Sequence, residues 1–193
     1  TKKRGDNIMN IAYCFTGSFC TFAKSIESLK NLKKAGHNII PVMSFNAYNT
    51  DTRFGTAEEF RNIIKTVCSH DIIHTIEDAE PIGPKNLVDI VAVAPCTSNT
   101  LAKLAFGIND TPVTMAVKSH LRNNKPVVIG VSTNDALGAG AKSIGLLMNM
   151  RNIYFVPMAM DDPIKKPRSM VCDFSRIGET LESAYKNEQI QIL

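Results

Sequence analysis

The sequence predicts a three-layer α/β sandwich built on a mainly parallel, doubly wound sheet of Rossmann-like form. Three observations carry that expectation. First, short apolar runs alternate with amphipathic segments of helical period along the whole chain. Second, the run from Val88 to Ala94 is apolar apart from Asp89 and rich in β-branched residues, the pattern of a strand covered on both faces. Third, the strand-like runs end in small polar residues: Thr16-Gly17-Ser18, Ser44-Phe45-Asn46, Thr97 to Thr100, and Ser132 to Asp135. Open α/β sheets bind ligands at the carboxyl ends of their strands, where such turns lie.

Ile8 to Phe15 reads as the first strand and Thr21 to Ala35 as the helix after it, with Phe22, Ile26, Leu29 and Leu32 on one side. Gly36 follows as a C′ glycine. Asn38 to Met43 completes a βαβ unit, expected to be right-handed. Tyr48 to Gly55 reads as a polar loop. Thr56 then caps a helix to Cys68, with Glu59 at capping-box spacing. Pro81 and Pro84 make Ser69 to Asn86 a loop with at most a short strand near Ile72 to Ile76. The strand from Val88 is expected to stop at Pro95, and a helix capped by Ser98 or Asn99 to carry Leu101, Leu104 and Ala105. Asp110 or Thr111 caps the next helix, Pro112 to about Arg122. Pro126 to Val131 is a strand, Gly138 to Met150 a helix and Ile153 to Val156 a last strand. Asp161 to Pro167 reads as a loop and Ile177 to Asn187 as a terminal helix.

The 193 residues suit one domain, residues 1–193, with a polar tail at 1–7 and a C-terminal loop and helix over 161–193. Hydrophobic residues make up 44% and charged residues 21%, ordinary for a soluble globular protein. The net charge of +4 comes from scattered Lys and Arg, which argues against nucleic-acid binding. No apolar run of about 18 residues occurs, so no membrane span is expected, and TKKRGDN carries no signal-peptide pattern. Cys14, Cys20, Cys68, Cys96 and Cys172 are odd in number and form no C-x-x-C pair, so free thiols of a reducing cytoplasm are expected. His70 and His74 lack the acidic residue of H-E-x-x-H, so no metal site is expected.

Gly17 permits close backbone approach, and Thr16 and Ser18 offer hydroxyls to a phosphate. Gly17 alone does not make a G-x-G-x-x-G fingerprint or a Walker loop, so a mononucleotide such as FMN suits the turn better than NAD. Cys96 at a helix start has the setting of a reactive thiol, but a small buried cysteine is the commoner case. His120 reads as structural or solvent-facing. Arg53, Lys165, Lys166 and Arg168 read as solvated loop charges of a kind that also clamps carboxylates.

Ala94-Pro95-Cys96-Thr97-Ser98-Asn99-Thr100, followed by Lys103, Ala105, Gly107 and Asp110, resembles a known signature, P-x-S-A-N-T…K…A-x-G-x-x-D. It belongs to the homo-oligomeric flavin-containing cysteine decarboxylases. Thr16-Gly17-Ser18 is similar to their first-strand turn, and Lys125 to Asn134 resembles their K-P-V…P-x-M-N segment. The resemblance implies a flavoprotein domain that binds FMN. Thr16, Gly17, Ser18, Ser44 and Phe45 would lie at the phosphate. Thr97, Ser98, Asn99 and Thr100 would border ribityl or ring, and Asn134 with Arg53 would face a substrate carboxylate.

NTDTRFG, STNDALG, LRNNKPVVIG and DDPIKKPRSMVCD narrow the likeness to family members that help make the pyridine dicarboxylate of bacterial endospores. This implies oxidation of a dihydropyridine dicarboxylate in the cytoplasm of the mother cell, beside a separate partner chain that brings NAD or NADP. Two departures point away from cysteine-type decarboxylation. The loop Glu80 to Lys85 lacks the family's catalytic histidine, and P-x-M-N has become Val131-Ser132-Thr133-Asn134. The rival readings are a flavin-free scaffold that completes a partner's active site, and an FMN-dependent decarboxylase of a cysteine-type substrate.

Overall fold

A computed structural model describes residues 8–192; the polar tail expected at 1–7 lies outside them. β1 (Asn10–Phe15), β2 (Asn38–Met43), β3 (Ile90–Cys96), β4 (Val127–Thr133) and β5 (Ile153–Phe155) pair in parallel. β6 (Met158–Asp162) and β7 (Lys166–Cys172) add an antiparallel hairpin, and the seven strands run β2-β1-β3-β4-β7-β6, with β5 also on β4. The helices are α1 (Phe22–Lys34), α2 (Phe45–Asn49), α3 (Ala57–Cys68), α4 (Ile76–Ala79), α5 (Ser98–Ala105), α6 (Pro112–Leu121), α7 (Gly140–Met148) and α8 (Ile177–Tyr185). α1 packs on α3 and α8, while α6 packs on α4 and α5, and α5 on α7. The chain winds outward from β1 to β2 in one direction and through β3 and β4 in the other. The switch point therefore lies between the carboxyl ends of β1 and β3.

Burial explains the strands. Every residue of β3 is buried, as a run covered on both sides requires. An aromatic chain then clamps α1 and α3 to β1. Phe15 meets Phe22 with ring centroids 5.6 Å apart, and Phe22 meets Phe60 edge-on at 4.9 Å. Such pairs add about 0.5–1.5 kcal/mol each beyond the area they bury. Gly36, at φ +96°, closes α1 in a conformation that a Cβ would strain. Thr56 and Glu59 form the expected capping box on α3.

Several expectations need correction. Pro95 does not stop its strand: β3 runs on to Cys96, with the Ala94–Pro95 peptide cis. Thr97, not Ser98 or Asn99, caps α5, its hydroxyl accepting the Thr100 N–H. The segment after β2 is not loop throughout, since Ser44 caps the short α2. The 69–86 stretch contains α4 and a single parallel bridge from Ile73 to Val42. The expected loop at 161–167 is the tip of the β6–β7 hairpin. β7 pairs with Ser132 and Thr133 just beyond the reach of β5, which covers only Val127 to Ile129 of β4. A short β5 thus leaves the outer half of β4 with unpaired backbone groups, and the hairpin satisfies them.

His120 is not solvent-facing: it is fully buried, and neither ring nitrogen has a partner among the described residues. Burial, aided by the nearby Lys125 ammonium, pushes its pKa down to about 4. The unfolded chain then takes up this proton first as the pH drops. Stability tied to His120 is complete above pH ~6.5 and is lost as pH falls toward ~4, by up to about 3 kcal/mol. Replacing His120 with Leu should flatten the fall in unfolding free energy over that window, measured by urea denaturation; a wild-type slope would mean that another group controls it.

Candidate functional site

The site is organised by Thr16, the first residue after β1. Its hydroxyl donates to the Pro95 carbonyl at 2.7 Å and accepts the Thr97 N–H at 3.0 Å, while its own N–H reaches the Pro95 carbonyl at 3.3 Å. The side chain is buried, so it joins the two turns at the switch point and does not present its hydroxyl to solvent. Ser18 extends the join to β4: its hydroxyl lies 2.8 Å from that of Ser132. Thr21 backs both, donating to the Ser18 carbonyl and lying 3.2 Å from the Ser132 hydroxyl.

Two clefts open beside this join and share Gly17 and Thr97 as their common wall. The smaller, about 400 Å³, is lined by Ser44, Phe45, Asn46, Asn99, Thr100 and Thr111 among others. Thr16 also lies on its wall, and the ion pair of Lys103 with Asp110 stands at its side. That pairing holds the Asp110 carboxyl below its usual range. Ser44 caps α2 by accepting the Ala47 N–H at 3.3 Å, which leaves its own proton free to donate. The cleft is therefore neutral and rich in donors beside the N-terminus of α5.

The larger cleft, about 690 Å³, contains Ser18, Arg53, Asn134 and the outer part of the hairpin. Asp135 knots its floor. Its carboxylate accepts from Thr133 at 2.6 Å and from Ser98 at 3.0 Å, and its carbonyl takes the N–H groups of Gly138 and Gly140. Asn134 is tied to the hairpin, accepting from Ser169 at 3.4 Å. Arg53 stacks on its neighbour Phe54 at 4.9 Å.

Of the residues singled out in the sequence, Gly17, Ser18, Thr97, Arg53 and Asn134 line the larger cleft, and Thr16, Gly17, Ser44, Phe45, Thr97, Asn99 and Thr100 line the smaller. Ser98 lines neither and is engaged by Asp135. Cys96 is buried and lines neither cleft, and burial pushes its thiol pKa up, away from the thiolate a nucleophile needs. All five cysteines are free. His74 stacks on Tyr48 at 4.0 Å, and no histidine among the described residues lines either cleft. No group of three or more metal-binding side chains occurs among the described residues. Sequence reasoning missed Asp135 as a knot, Lys24, and the hairpin wall apart from Lys166, named among the charges able to clamp a carboxylate; the polar run Ser132 to Asp135 hinted at the first.

A mostly parallel sheet with donor-lined clefts at its switch point defines a Rossmann-like α/β protein of flavoprotein type. The chain belongs to the flavoprotein family, whose sequence pattern matches residues 1–174. It is 41% identical to the B subunit of dipicolinate synthase from Bacillus subtilis over 94% of this chain and 90% of that one. The crystal structure of the same enzyme's B subunit from Bacillus halodurans matches with a TM-score of 0.87 at 39% identity, over 95% of this chain and 94% of that one. The FMN-dependent cysteine decarboxylase SpaF shares the fold, with a TM-score of 0.67 at 20% identity over 94% and 97% of the two chains.

Replacing Thr16 with Val keeps the shape but leaves the Thr97 N–H without its partner. A loss of about 1–3 kcal/mol is expected in urea denaturation, restored by Thr16→Ser, which keeps the hydroxyl. Equal stability of all three proteins would remove Thr16 from its organising place.

Proposed function

We propose that this chain is the FMN-binding subunit of a dipicolinate synthase. In that role it takes part in oxidising dihydrodipicolinate to dipicolinate together with the enzyme's nicotinamide-binding A subunit. The observation that carries the flavin reading is Gly17. A Cβ there would meet only Phe19 at 3.8 Å and Asn46 at 4.0 Å, ordinary contacts, and its φ is not in the left-handed region. Neither packing nor backbone geometry requires glycine on the wall that both clefts share. A ligand crossing that wall would require it, because its atoms would occupy the space of the Cβ.

The donors suit FMN. Ser44, Asn99 and Thr100 with the free N–H groups of α5 would hold the phosphate side, and Gly17 and Thr97 would let the ribityl chain cross. Bound FMN would supply a ring that accepts a hydride. The protein's own part would then be to bind, orient and exclude water. Asn134, fixed by Ser169, would donate its amide N–H to a substrate carboxylate, and Arg53 would add charge. The family resemblance carries the further reading of a homo-oligomer.

A second reading has its own support. The clefts contain no histidine and no thiol other than that of exposed Cys20 among the described residues, and their carboxylates are already engaged, Asp110 by Lys103, Asp161 by Lys166 and Asp135 by two hydroxyls. This favours a chain that works with a partner over a self-sufficient decarboxylase of cysteine-type substrates.

Titrating the purified chain with FMN and recording visible absorbance tests the proposal. A perturbed flavin band that saturates is expected; unperturbed free flavin would sink the flavin reading and leave the scaffold role. Gly17→Ala should weaken FMN binding by ~10-fold or more, while stability stays equal or rises by about 0.4–1 kcal/mol through the unfolded chain. Unchanged flavin affinity in that variant would place the cofactor elsewhere. Asn134→Ala should lower dipicolinate output in the complete two-component enzyme without unfolding the chain, as circular dichroism would show.

A further inference from the structure

The larger cleft carries more positive charge than binding one carboxylate needs. Its charged lining is Lys24, Arg53 and Lys166 against Asp135 and Asp161. Both acids are already engaged. Asp135 accepts two hydroxyl bonds, and Asp161 accepts from Lys166 at 2.6 Å. Lys24 and Arg53 have no acidic partner among the described residues, and the Lys166 ammonium has three protons of which Asp161 takes one. The cations reach the cleft from separate elements: Arg53 from the loop between α2 and α3, Lys24 from α1 and Lys166 from the start of β7. The two carboxylates of a pyridine-type 2,6-diacid stand on either side of the ring nitrogen, so cations on separate elements can engage one each.

We infer that Lys24 and Lys166 form a second carboxylate subsite in this cleft, which makes it selective for dicarboxylates over monocarboxylates. This rests on the proposed function, in which Asn134 and Arg53 take the first carboxylate. Asp161 has a defined part: it holds the Lys166 side chain at the hairpin mouth, so the ammonium is in place before a ligand arrives. The ion pair also raises the Lys166 pKa, so the group stays charged throughout the neutral range. The subsite explains why the hairpin is basic at one end of β7, Lys165-Lys166-Pro167-Arg168, although the strand pairing itself needs no charge. Of these residues Lys166 lines the cleft and is assigned to recognition.

Calorimetric titration of the FMN-loaded full chain with pyridine-2,6-dicarboxylate and with pyridine-2-carboxylate decides the matter. Wild type should prefer the diacid by ~10-fold or more, the scale of one added charge-assisted contact pair. Lys24→Gln and Lys166→Gln should each lose most of that preference, while their affinity for the monoacid stays within about twofold, because the first subsite is untouched. Lys166→Arg should keep the preference. Thermal unfolding of each variant shows whether the hairpin is intact; a Lys166→Gln protein that melts early passes the test to Lys24→Gln, whose helix does not depend on that ion pair. Equal affinity of wild type for diacid and monoacid overturns the second subsite, as does full preference in both Gln variants. Failure of wild type to bind either acid overturns the underlying functional reading as well, and so is distinct from failure of this inference alone.

Discussion

The arrangement depends on one hydroxyl. Thr16 joins the turn after β1 to the turn after β3 by a bond to the Pro95 carbonyl and by accepting a part-buried Thr97 N–H that would otherwise lack this partner. Sheet topology alone brings two strand ends side by side, but does not say how their loops leave. With the Thr16 bonds made, Gly17 is directed outward as a low wall, and Thr97 is set to start α5. Both clefts are defined by those consequences. Valine would have much the same shape and keep only the backbone bond to Pro95, because the cost of leaving the Thr97 N–H unpaired is what the hydroxyl removes.

A second knot repeats the principle one strand further on. Asp135 is a half-buried carboxylate whose oxygens are used by Ser98 and Thr133. It locks the end of β4 to α5 and to the turn before α7. A negative charge in the floor of a cleft would repel an anionic ligand if left bare. Two hydroxyl donors reduce that field, and the lysines and arginine at the walls outweigh it. The charge pattern thus separates structure from recognition: acids are consumed internally, and cations are left for what enters.

Much of this is legible in the chain. Strand and helix order, the βαβ start, the capping box at Thr56 and the four polar strand ends all follow from local rules, because periodicity and capping act over a few residues. The errors share a cause. Pro95 reads as the end of β3, but Thr16 and β4 hold its neighbourhood in extended form from outside the segment. Asp161 to Pro167 carries mixed polar residues and two prolines, and so reads as loop. It becomes the tip of a hairpin because the outer half of β4 lacks a parallel neighbour. No property of residues 158–172 announces that missing neighbour. Lys24 reads as one of the polar residues of α1, and only the path of the hairpin turns it into a wall of the cleft.

The sequence by itself determined the α/β class, the order of the parallel strands' elements, and which residue types gather at strand ends, since these rest on short-range patterns of burial and capping. It also determined the family, through motifs whose order and spacing persist along the chain. Only the tertiary structure decided which hydroxyls are spent on the protein and which stay available, that Ser98 serves Asp135, that Cys96 and His120 are sealed from solvent, and that cations from three distant elements share one cleft. Those outcomes depend on contacts between residues tens of positions apart, and such distances are closed by packing and hydrogen-bond satisfaction, not by local propensity.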